Sequence, residues 1–315
     1  MKALAVDAFG ERGAVRDLPV PEPEEGQLRL QVAAAGINPF DAAVLAGYMQ
    51  GAMEHRFPLV PGMDVACTVD ALGDAVEGYA IGDRVFGSVG KPYLGRGTVA
   101  QFVTVSTGTV THTPPSLDDA VAAAIPTAEV TALVMADALG TTIEGWTVVV
   151  VGATGGVGST FVQLAAHRGA RVVAVCSGAN ADYARELGAS EVIDYTAIDV
   201  VKAVGSGFPD GIDVVVDLHG DAVQVADLAT FVAPGGHVVS AVGAADVDAL
   251  AAEEIKGSNV MGRVRTAQLE TLVGLLAAGG LVAPEIHRYP LTDAAQALAT
   301  IGTGHVRGKL VVTME

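Results

Sequence analysis

The chain is poor in cysteine, with only two among its 315 residues. Cys67 and Cys176 stand far apart within apolar segments, which is typical of buried reduced thiols rather than of a disulfide or a metal ligand. Long hydrophobic runs are also missing. No stretch approaches the ~20 apolar residues that span a bilayer, and the longest, such as TVVVV, have the length of core strands. The N-terminal MKALAVDAFG lacks the apolar block of a secretory signal, so we expect a cytoplasmic protein with no membrane partner.

Basic residues are scarce as well. The chain has 18 Lys and Arg against 36 Asp and Glu, for a formal net charge of -18. Contacts to nucleic-acid phosphates need clustered cations, so we expect no nucleic-acid partner. The acidity is instead typical of a surface that maintains solubility.

The distribution of apolar residues predicts two domains, in keeping with the length of the chain. Up to about residue 117, short runs such as RLQVAAAGI and AQFVTVST are separated by Gly, Pro and Asp, which predicts a mostly β domain. From about residue 118, helical stretches alternate with β-branched runs. This alternation predicts an α/β domain, with a doubly wound parallel sheet and helices on both faces.

The last part of the chain reads as a return to the first domain. It ends in HRYPLTDAAQALATIGTGHVRGKLVVTME, which predicts a helix capped by Thr292 and then a terminal strand. We therefore predict one domain from residues 1–120 and 256–315, with residues 121–255 inserted as the α/β domain.

A glycine-rich turn, VVVVGATGGVGS, joins an apolar strand to an apolar-periodic helix. Glycines at 152, 155 and 158 permit a tight turn, allow the backbone to approach a pyrophosphate, and let helix and strand pack closely. The helix N-terminus adds free N–H groups and partial positive charge. With correct flanks on both sides, the motif predicts a dinucleotide site rather than an ordinary strand–helix turn.

The residues after the next strand bear on which dinucleotide binds. An acidic residue there would hold the ribose 2′-OH of NAD, but this strand ends in Cys176, Ser177 and Gly178. Ser177, Asn180 and Tyr195 offer donors for a 2′-phosphate, although no Arg or Lys stands at 176–181. The pattern favours NADPH, with loose discrimination between the two cofactors as the alternative.

Taken together, several segments resemble the zinc-independent quinone oxidoreductase branch of the medium-chain dehydrogenase/reductase superfamily. They run in the family's order from end to end: AAGINPFD, FPLVPGMDVACTVDALG, GDRVFG, IPTAEVTAL, VGATGGVG, ARELGASEVIDYT, VVVDLHG, GGHVVS and RGKLVV. The resemblance implies a GroES-like catalytic domain made from both chain ends, an inserted Rossmann domain, and NADPH in the cleft between them.

The resemblance also bears on metal binding. In zinc-using relatives the positions of Asn38, Met63 and Thr127 hold a cysteine, a histidine and a third ligand. Here an amide, a thioether and a hydroxyl stand in their place, and a catalytic zinc site needs three N, S or carboxylate donors. The four-cysteine structural lobe is absent too, and the seven histidines show no paired ligand spacing. We expect no bound metal.

Catalytic roles are implied for three residues. Asn38 would orient the nicotinamide or the substrate carbonyl, and Thr131 would fix the face of the ring. Tyr48 falls where many family members place a tyrosine in the cleft, and its phenol either donates the proton or bonds the oxyanion. The alternative, left open, is that water supplies the proton and Tyr48 only packs on the ring.

The resemblance implies further contacts and some departures. The predicted cofactor contacts are Thr127, Thr131, Gly152, Thr154, Gly155, Gly156, Val157, Gly158, Ser177, Asn180, Tyr195, Leu218, His219, Ala241, Val242, Gly243, Met261 and Gly262. Structural roles are predicted for Asp41, Asp64 and Lys309. Many relatives carry an arginine at the position of Leu45 and a basic residue near Ala179, and both are missing here.

The function that these predictions favour is zinc-independent hydride transfer from NADPH to a quinone or an α,β-unsaturated carbonyl. Two alternatives remain: an enoyl-thioester reductase of a biosynthetic pathway, and a non-catalytic NADPH-binding protein or redox sensor. Relatives commonly form homodimers through the edge of the Rossmann sheet, which here falls around residues 257–264.

Overall fold

The structure is a computed structural model that describes residues 1–314. Its contacts divide the chain into two compact units. The first unit comprises residues 1–130, 263–277 and 284–315, and the second comprises residues 131–262 and 278–283. No helix among the described residues is both long and apolar enough to cross a membrane.

Strands dominate the first unit. Its strands are β1 (Lys2–Ala5), β2 (Ala14–Asp17), β3 (Gln27–Ile37), β4 (Glu54–Val60), β5 (Asp64–Leu72), β6 (Arg84–Ser88), β7 (Tyr93–Arg96), β8 (Phe102–Ser106), β9 (Val110–His112), β16 (Ile286–Pro290) and β17 (Lys309–Thr313). Its helices are α1 (Pro39–Leu45), α2 (Asp119–Ala124), the start of α3 (Pro126–Ala138), α9 (Thr266–Ala277) and α10 (Ala294–Ile301).

The central sheet of the first unit contains strands from both ends of the chain. Its order is β16-β17-β3-β5-β6-β9, with β8 also pairing to β3. The terminal strand β17 runs antiparallel to β3, with Leu310 opposite Ile37. This pairing brings residues some 270 positions apart in the chain, such as Lys309 and Ile37, into hydrogen-bonding contact.

The second unit is a parallel α/β layer structure. Its strands are β10 (Thr147–Val151), β11 (Arg171–Cys176), β12 (Glu191–Asp194), β13 (Ile212–Asp217), β14 (Val232–Ser240) and β15 (Lys256–Asn259). Its helices are the rest of α3, α4 (Gly156–His167), α5 (Ala181–Glu186), α6 (Val200–Gly207), α7 (Ala222–Ala229) and α8 (Val247–Ala252). Every strand pair in this sheet is parallel.

The strand order β12-β11-β10-β13-β14-β15 confirms the predicted doubly wound sheet. Residues Val148 to Val151 of β10 are all buried, as expected for a strand covered by helices on both faces. The chain order reverses between β10 and β13. In open parallel sheets this reversal opens a crevice at the carboxyl ends of the strands, where ligands bind.

One predicted helix start was wrong. The sequence places the cap of the last helix at Thr292, whereas residues Leu291–Asp293 form a short 3₁₀ turn and α10 begins at Ala294. A 3₁₀ turn is common at helix N-termini, and here it moves the cap by one residue, to Asp293.

Candidate functional site

The glycine turn lies at the switch point of the second unit's sheet. Gly152 has a φ of +83°, a conformation that favours glycine, and a Cβ on it would lie 3.3 Å from the Cβ of Leu218. A Cβ on Gly158 would lie 2.2 Å from the carbonyl oxygen of Gly152. Helix α4 begins at Gly156, directly after the turn, so its first N–H groups, including that of Val157, have no intrahelical acceptor. The turn therefore presents backbone donors where the main chain can approach an anion closely.

The end of β11 joins this turn through side chains. The amide Nδ2 of Asn180 donates to Oγ1 of Thr154 at 3.3 Å, so two predicted cofactor contacts meet. Ser177 is half-buried, whereas Tyr195 is exposed. The short loop after β11 thus places polar groups beside the glycine turn.

A carboxylate from the neighbouring strand lies beside this loop. Asp194 ends the neighbouring strand β12, opposite Cys176 in the parallel register. Its Oδ2 occupies space only 2.3 Å from where a Cβ on Gly178 would stand. Hydrogen bonds from the hydroxyl and the amide of Thr196 lower the pKa of Asp194, so it is charged at neutral pH. The end of β11 carries no acidic residue, but parallel strands also bring the end of β12 to the same sheet edge.

Two polar residues that the sequence analysis missed organise the next two loops. Asp217, fully buried at the end of β13, accepts hydrogen bonds from the N–H groups of His219 and Gly220 and from Oγ of Ser240 at 2.7 Å. Ser240, at the end of β14, accepts from the N–H groups of Val242 and Ala244, both at 3.1 Å. The signal was present, because each residue is the polar end of a buried β-branched strand.

These bonds shape the loops that carry five predicted cofactor contacts. Leu218 and Ala241 are half-buried at the strand ends, while the side chain of His219 is exposed, as are Val242 and Gly243. The carboxyl ends of β10, β11, β13 and β14 therefore all contribute to one edge of the sheet.

Thr131 and Gly262 also meet within the second unit. A Cβ on Gly262, after β15, would lie 2.4 Å from Oγ1 of Thr131, which is itself buried. Met261 is 85 % exposed beside them. Only glycine fits at position 262 without displacing the threonine.

In the first unit, Asn38 is the centre of a buried polar network. Its Nδ2 donates to Oδ2 of Asp64 at 2.9 Å, and its Oδ1 accepts from Nζ of Lys309 at 2.6 Å. Lys309 also donates to the carbonyl oxygen of Ile37 at 3.1 Å. Asn38 is 4 % exposed, so the amide predicted to orient a ligand is already held by an acid on one side and a cation on the other.

Thr127 completes the network from the start of α3. Its Oγ1 donates to Oδ1 of Asp64 at 2.6 Å, and its N–H donates to Oδ2 of the same carboxylate at 3.1 Å. Asp41, in the first turn of α1, accepts from the N–H of Asn38 at 2.8 Å. Met63, the remaining one of the three positions compared with zinc ligands, is half-buried. Hydrogen bonds between amide, hydroxyl and carboxylate thus tie two of the three positions together.

Charge in this network is strongly perturbed by burial. Burial raises the pKa of Asp41 to about 7 and raises the pKa of Asp64 as well, although Lys309 opposes both shifts. Burial lowers the pKa of Lys309, while Asp64, Asp41 and Glu129 hold it up. One ammonium therefore balances several buried carboxyls.

Glu129 is the least satisfied member of this group. It is 1 % exposed, and neither carboxyl oxygen has a hydrogen-bond partner within residues 1–314. Burial raises its pKa to about 8, with Lys309 acting in the opposite direction. Sequence reasoning missed it because nothing in IPTAEVTAL marks a glutamate on a helix as buried.

Tyr48 lies apart from this network in the turn that follows α1. Its side chain is 77 % exposed, and the phenol has no hydrogen bond among residues 1–314. No hydrogen-bond partner within residues 1–314 therefore supports its predicted catalytic role.

Comparison with protein families gives two matches. Residues 187–312 match the family described as zinc-binding dehydrogenase, and residues 24–115 match the alcohol dehydrogenase GroES-like domain.

Individual relatives cover almost the whole chain. A chloroplastic NADPH-dependent alkenal/one oxidoreductase of Arabidopsis thaliana is 30% identical over 99% of this chain and 79% of its own length. A chloroplast envelope quinone oxidoreductase homolog of the same plant is 28% identical over 99% of this chain and 98% of its length. Among solved structures, the quinone oxidoreductase from Coxiella burnetii matches with a TM-score of 0.89, at 28% identity, over 100% of this chain and 99% of that one.

Proposed function

Because this chain belongs to the quinone oxidoreductase-like branch of the medium-chain dehydrogenase/reductase superfamily, we propose that it reduces quinones or α,β-unsaturated ketones with a nicotinamide cofactor. The relatives' names supply the substrate class, and the glycine turn at the switch point supplies the place for a dinucleotide. Both acceptors are already polarised by their own carbonyl groups, so the protein has mainly to position them.

The observation that carries this proposal is the Asn38 network. At the positions where zinc-using relatives hold ligands, Asn38 is bonded to Asp64 and Lys309, and Thr127 is bonded to Asp64. At the first of these positions, the ammonium of Lys309 already supplies positive charge 2.6 Å from the amide oxygen of Asn38. The other two positions hold the hydroxyl of Thr127 and the thioether of Met63. This donor set does not fit a zinc ion, which supports a reduction without a Lewis-acid metal.

The second unit offers the groups that would hold the cofactor. The turn from Gly152 to Gly158 and the N-terminus of α4 would bind the pyrophosphate, and the loops after β13 and β14 would line the ribose and the nicotinamide. When bound, the nicotinamide supplies the hydride. Thr131, fixed against Gly262, would then set the face of the ring that is presented.

Asn38 keeps one amide hydrogen that no residue from 1 to 314 accepts. Of its two Nδ2 hydrogens, one goes to Asp64, so a single N–H remains for a carbonyl or carboxamide oxygen. Lys309, bound to the amide oxygen, polarises this donor and fixes its orientation. The exposed position of Tyr48 supports water as the proton source.

We propose NADPH as the preferred cofactor, with only modest discrimination against NADH. Ser177, Asn180 and Tyr195 offer donors to a 2′-phosphate. The charged Asp194 beside Gly178 opposes that phosphate and limits the preference. We also propose a homodimer formed through β15, the edge strand of the parallel sheet, beside the exposed Met261.

Steady-state assays of the purified protein test the reaction. NADPH consumption, followed by nicotinamide absorbance, should depend on added 1,4-benzoquinone or methyl vinyl ketone. It should persist after exhaustive chelation, with metal analysis to verify that the protein is free of metal. A primary alcohol with NADP⁺ is the matched negative control. Turnover with thioester-bound enoyl substrates alone, or cofactor binding without turnover of any acceptor, would replace this proposal with one of its two alternatives.

A further inference from the structure

A cavity of ≈ 330 Å³ lies within the first unit. It opens between the segment that follows β2, the end of β4, the loop around β7 and the start of β8. Most of its wall is apolar and is formed by Leu18, Val20, Pro21, Pro58, Val60 and Phe102. Three prolines, Pro19, Pro21 and Pro58, make this wall stiff, and pockets of this size and character typically take small organic ligands.

This cavity is remote from the Asn38 network. Phe102 on its wall pairs with Gln31 of β3, and Asn38 follows the same strand seven residues later. At about 3.3 Å per residue, the two positions are roughly 20 Å apart. The cavity therefore does not belong to the site described above.

Two cations line the cavity without an acidic partner. Lys91 has neither a hydrogen bond nor a carboxylate within ion-pair distance among residues 1–314, and its ammonium lies 5.9 Å from the centre of the Tyr93 ring. Arg96 donates to the carbonyl oxygens of Arg56, Pro58 and Gly95, and no described carboxylate pairs with it. Carbonyl contacts orient a guanidinium but leave its charge uncompensated.

A third cation increases the local positive charge. The guanidinium of Arg56 lies 3.4 Å from the centre of the Tyr93 ring, although its own charge is paired with Glu54. Burial and the nearby Arg96 and Arg56 lower the pKa of Lys91 to about 8, while Glu24 acts in the opposite direction. In a chain of net charge -18, this grouping of cations beside an apolar wall is unusual. An anion placed there would relieve both the repulsion and the unpaired, partly desolvated charge.

We propose that this cavity binds a small amphiphilic organic anion, a monocarboxylate with an apolar body of about seven carbons. Its carboxylate would lie between Lys91 and Arg96, and its body would pack on Val20, Pro58 and Phe102. The volume is at the small end of the range for ligand pockets, which suits a short amphiphile such as octanoate. The proposal is independent of the reaction proposed above, since the two sites share no residue.

Calorimetric titration of octanoate into the full chain at pH 7 tests the proposal directly. We expect saturable one-to-one binding that Lys91→Met weakens at least about tenfold, because a charge-assisted bond is lost. Lys91→Arg should retain affinity within about threefold, and Lys202→Met, which removes an exposed lysine of the second unit, should change nothing. Octanol should bind more weakly than octanoate, and equally to the wild type and to Lys91→Met.

A pH series and a filled cavity complete the test. Octanoate affinity should fall as the pH rises through about 8, where Lys91 loses its proton in the field of Arg96, Arg56 and Glu24, and Lys91→Arg should abolish that fall. Val20→Trp, at a half-exposed wall position, should weaken octanoate and octanol together. No saturable octanoate binding, or equal affinity in Lys91→Met and Lys202→Met, would overturn the proposal.

Discussion

The two units place their polar groups in opposite ways. In the second unit, the polar residues stand where consecutive parallel strands end, and each is followed by a short loop that the same residue holds, as Asp217 and Ser240 do. In the first unit, Asn38, Asp64, Thr127 and Lys309 come from four distant segments and meet in the interior. A site at a sheet edge is therefore built from local turns, whereas a buried charge network depends on contacts between distant segments of the whole unit.

The largest effect is expected from removing Lys309, the one cation of the buried network among residues 1–314. Lys309→Met leaves the carboxylates of Asp64 and Asp41 in the interior without their counter-charge. We expect the free energy of unfolding to fall by about 3–5 kcal/mol, measured by urea denaturation at pH 7. Lys202→Met is the control, because that side chain is 86 % exposed. A loss below about 1 kcal/mol would mean that the network does not behave as a buried ion cluster.

The second unit should instead respond to a local change in its turn. Gly158→Ala places a Cβ 2.2 Å from the carbonyl oxygen of Gly152. That oxygen belongs to the main chain, which cannot move aside as a flexible side chain would. We expect the cofactor's Kd to rise by about 100-fold, or about 2.7 kcal/mol, in a fluorescence titration. Gly274→Ala in α9 meets open space and should leave binding unchanged. Unaltered binding by Gly158→Ala would contradict the close helix–strand packing assigned to this turn.

Within the first unit, the buried Glu129 should make stability depend on pH. The folded-state pKa of Glu129 is raised to about 8 from an ordinary value of 4.5. Its contribution to stability is therefore fully present below pH 4.5 and is lost as the pH rises towards 8. Glu129→Gln removes this loss, so the variant should gain on the order of 1–3 kcal/mol relative to the wild type between pH 5 and pH 8.

Chemical denaturation at several pH values measures this difference. The gain of Glu129→Gln should grow steadily with pH, while Glu253→Gln, at an exposed position that ends α8, should show no such trend. A difference that is independent of pH would show that Glu129 titrates in its ordinary range.

In the second unit, a single charge should adjust cofactor choice. Asp194→Asn removes the carboxylate beside Gly178 while keeping hydrogen-bonding oxygen for Thr196. We expect the ratio of kcat/KM for NADPH over NADH to rise about tenfold, because one repulsive charge near a 2′-phosphate is removed. Asp182→Asn, which removes a 94 % exposed side-chain charge on the next helix, should shift the ratio far less. A fall in the ratio would place the 2′ position elsewhere.

The smallest effect is expected at Tyr48. Its phenol is exposed and makes no hydrogen bond within the described residues, so Tyr48→Phe should change kcat with a quinone by less than about twofold. Positioned proton donors typically contribute about 10²–10⁴-fold. A loss of that size, with an altered pH–rate profile, would restore the tyrosine as the acid and overturn water as the proton source.

Sequence patterns predicted the second unit well. The alternation of strands and helices, the doubly wound sheet, and the strand–turn–helix around Gly152 to Gly158 were predicted correctly, because each depends on residues that are near neighbours in the chain. Asp194 was missed because its proximity to Gly178 depends on the pairing of two strands, which a search along one strand does not follow.

The first unit was predicted only in outline. Its short strands and the return of the chain end were anticipated, and structural roles were assigned to Asp41, Asp64 and Lys309. Their common partner, Asn38, was expected to face a ligand rather than to be held on both sides. The two cations at the apolar cavity were not anticipated at all, since Lys91 and Arg96 have no motif around them.

Local conformations follow from residues that are neighbours in the chain: glycine where backbone meets backbone, β-branched runs for covered strands, and polar residues where those strands end. Tertiary structure alone decided which charges lose their water and which partners replace it. Desolvation and Coulomb energy depend on distance through space, and the antiparallel pairing of β17 with β3 brings Lys309 to Asn38 across most of the chain.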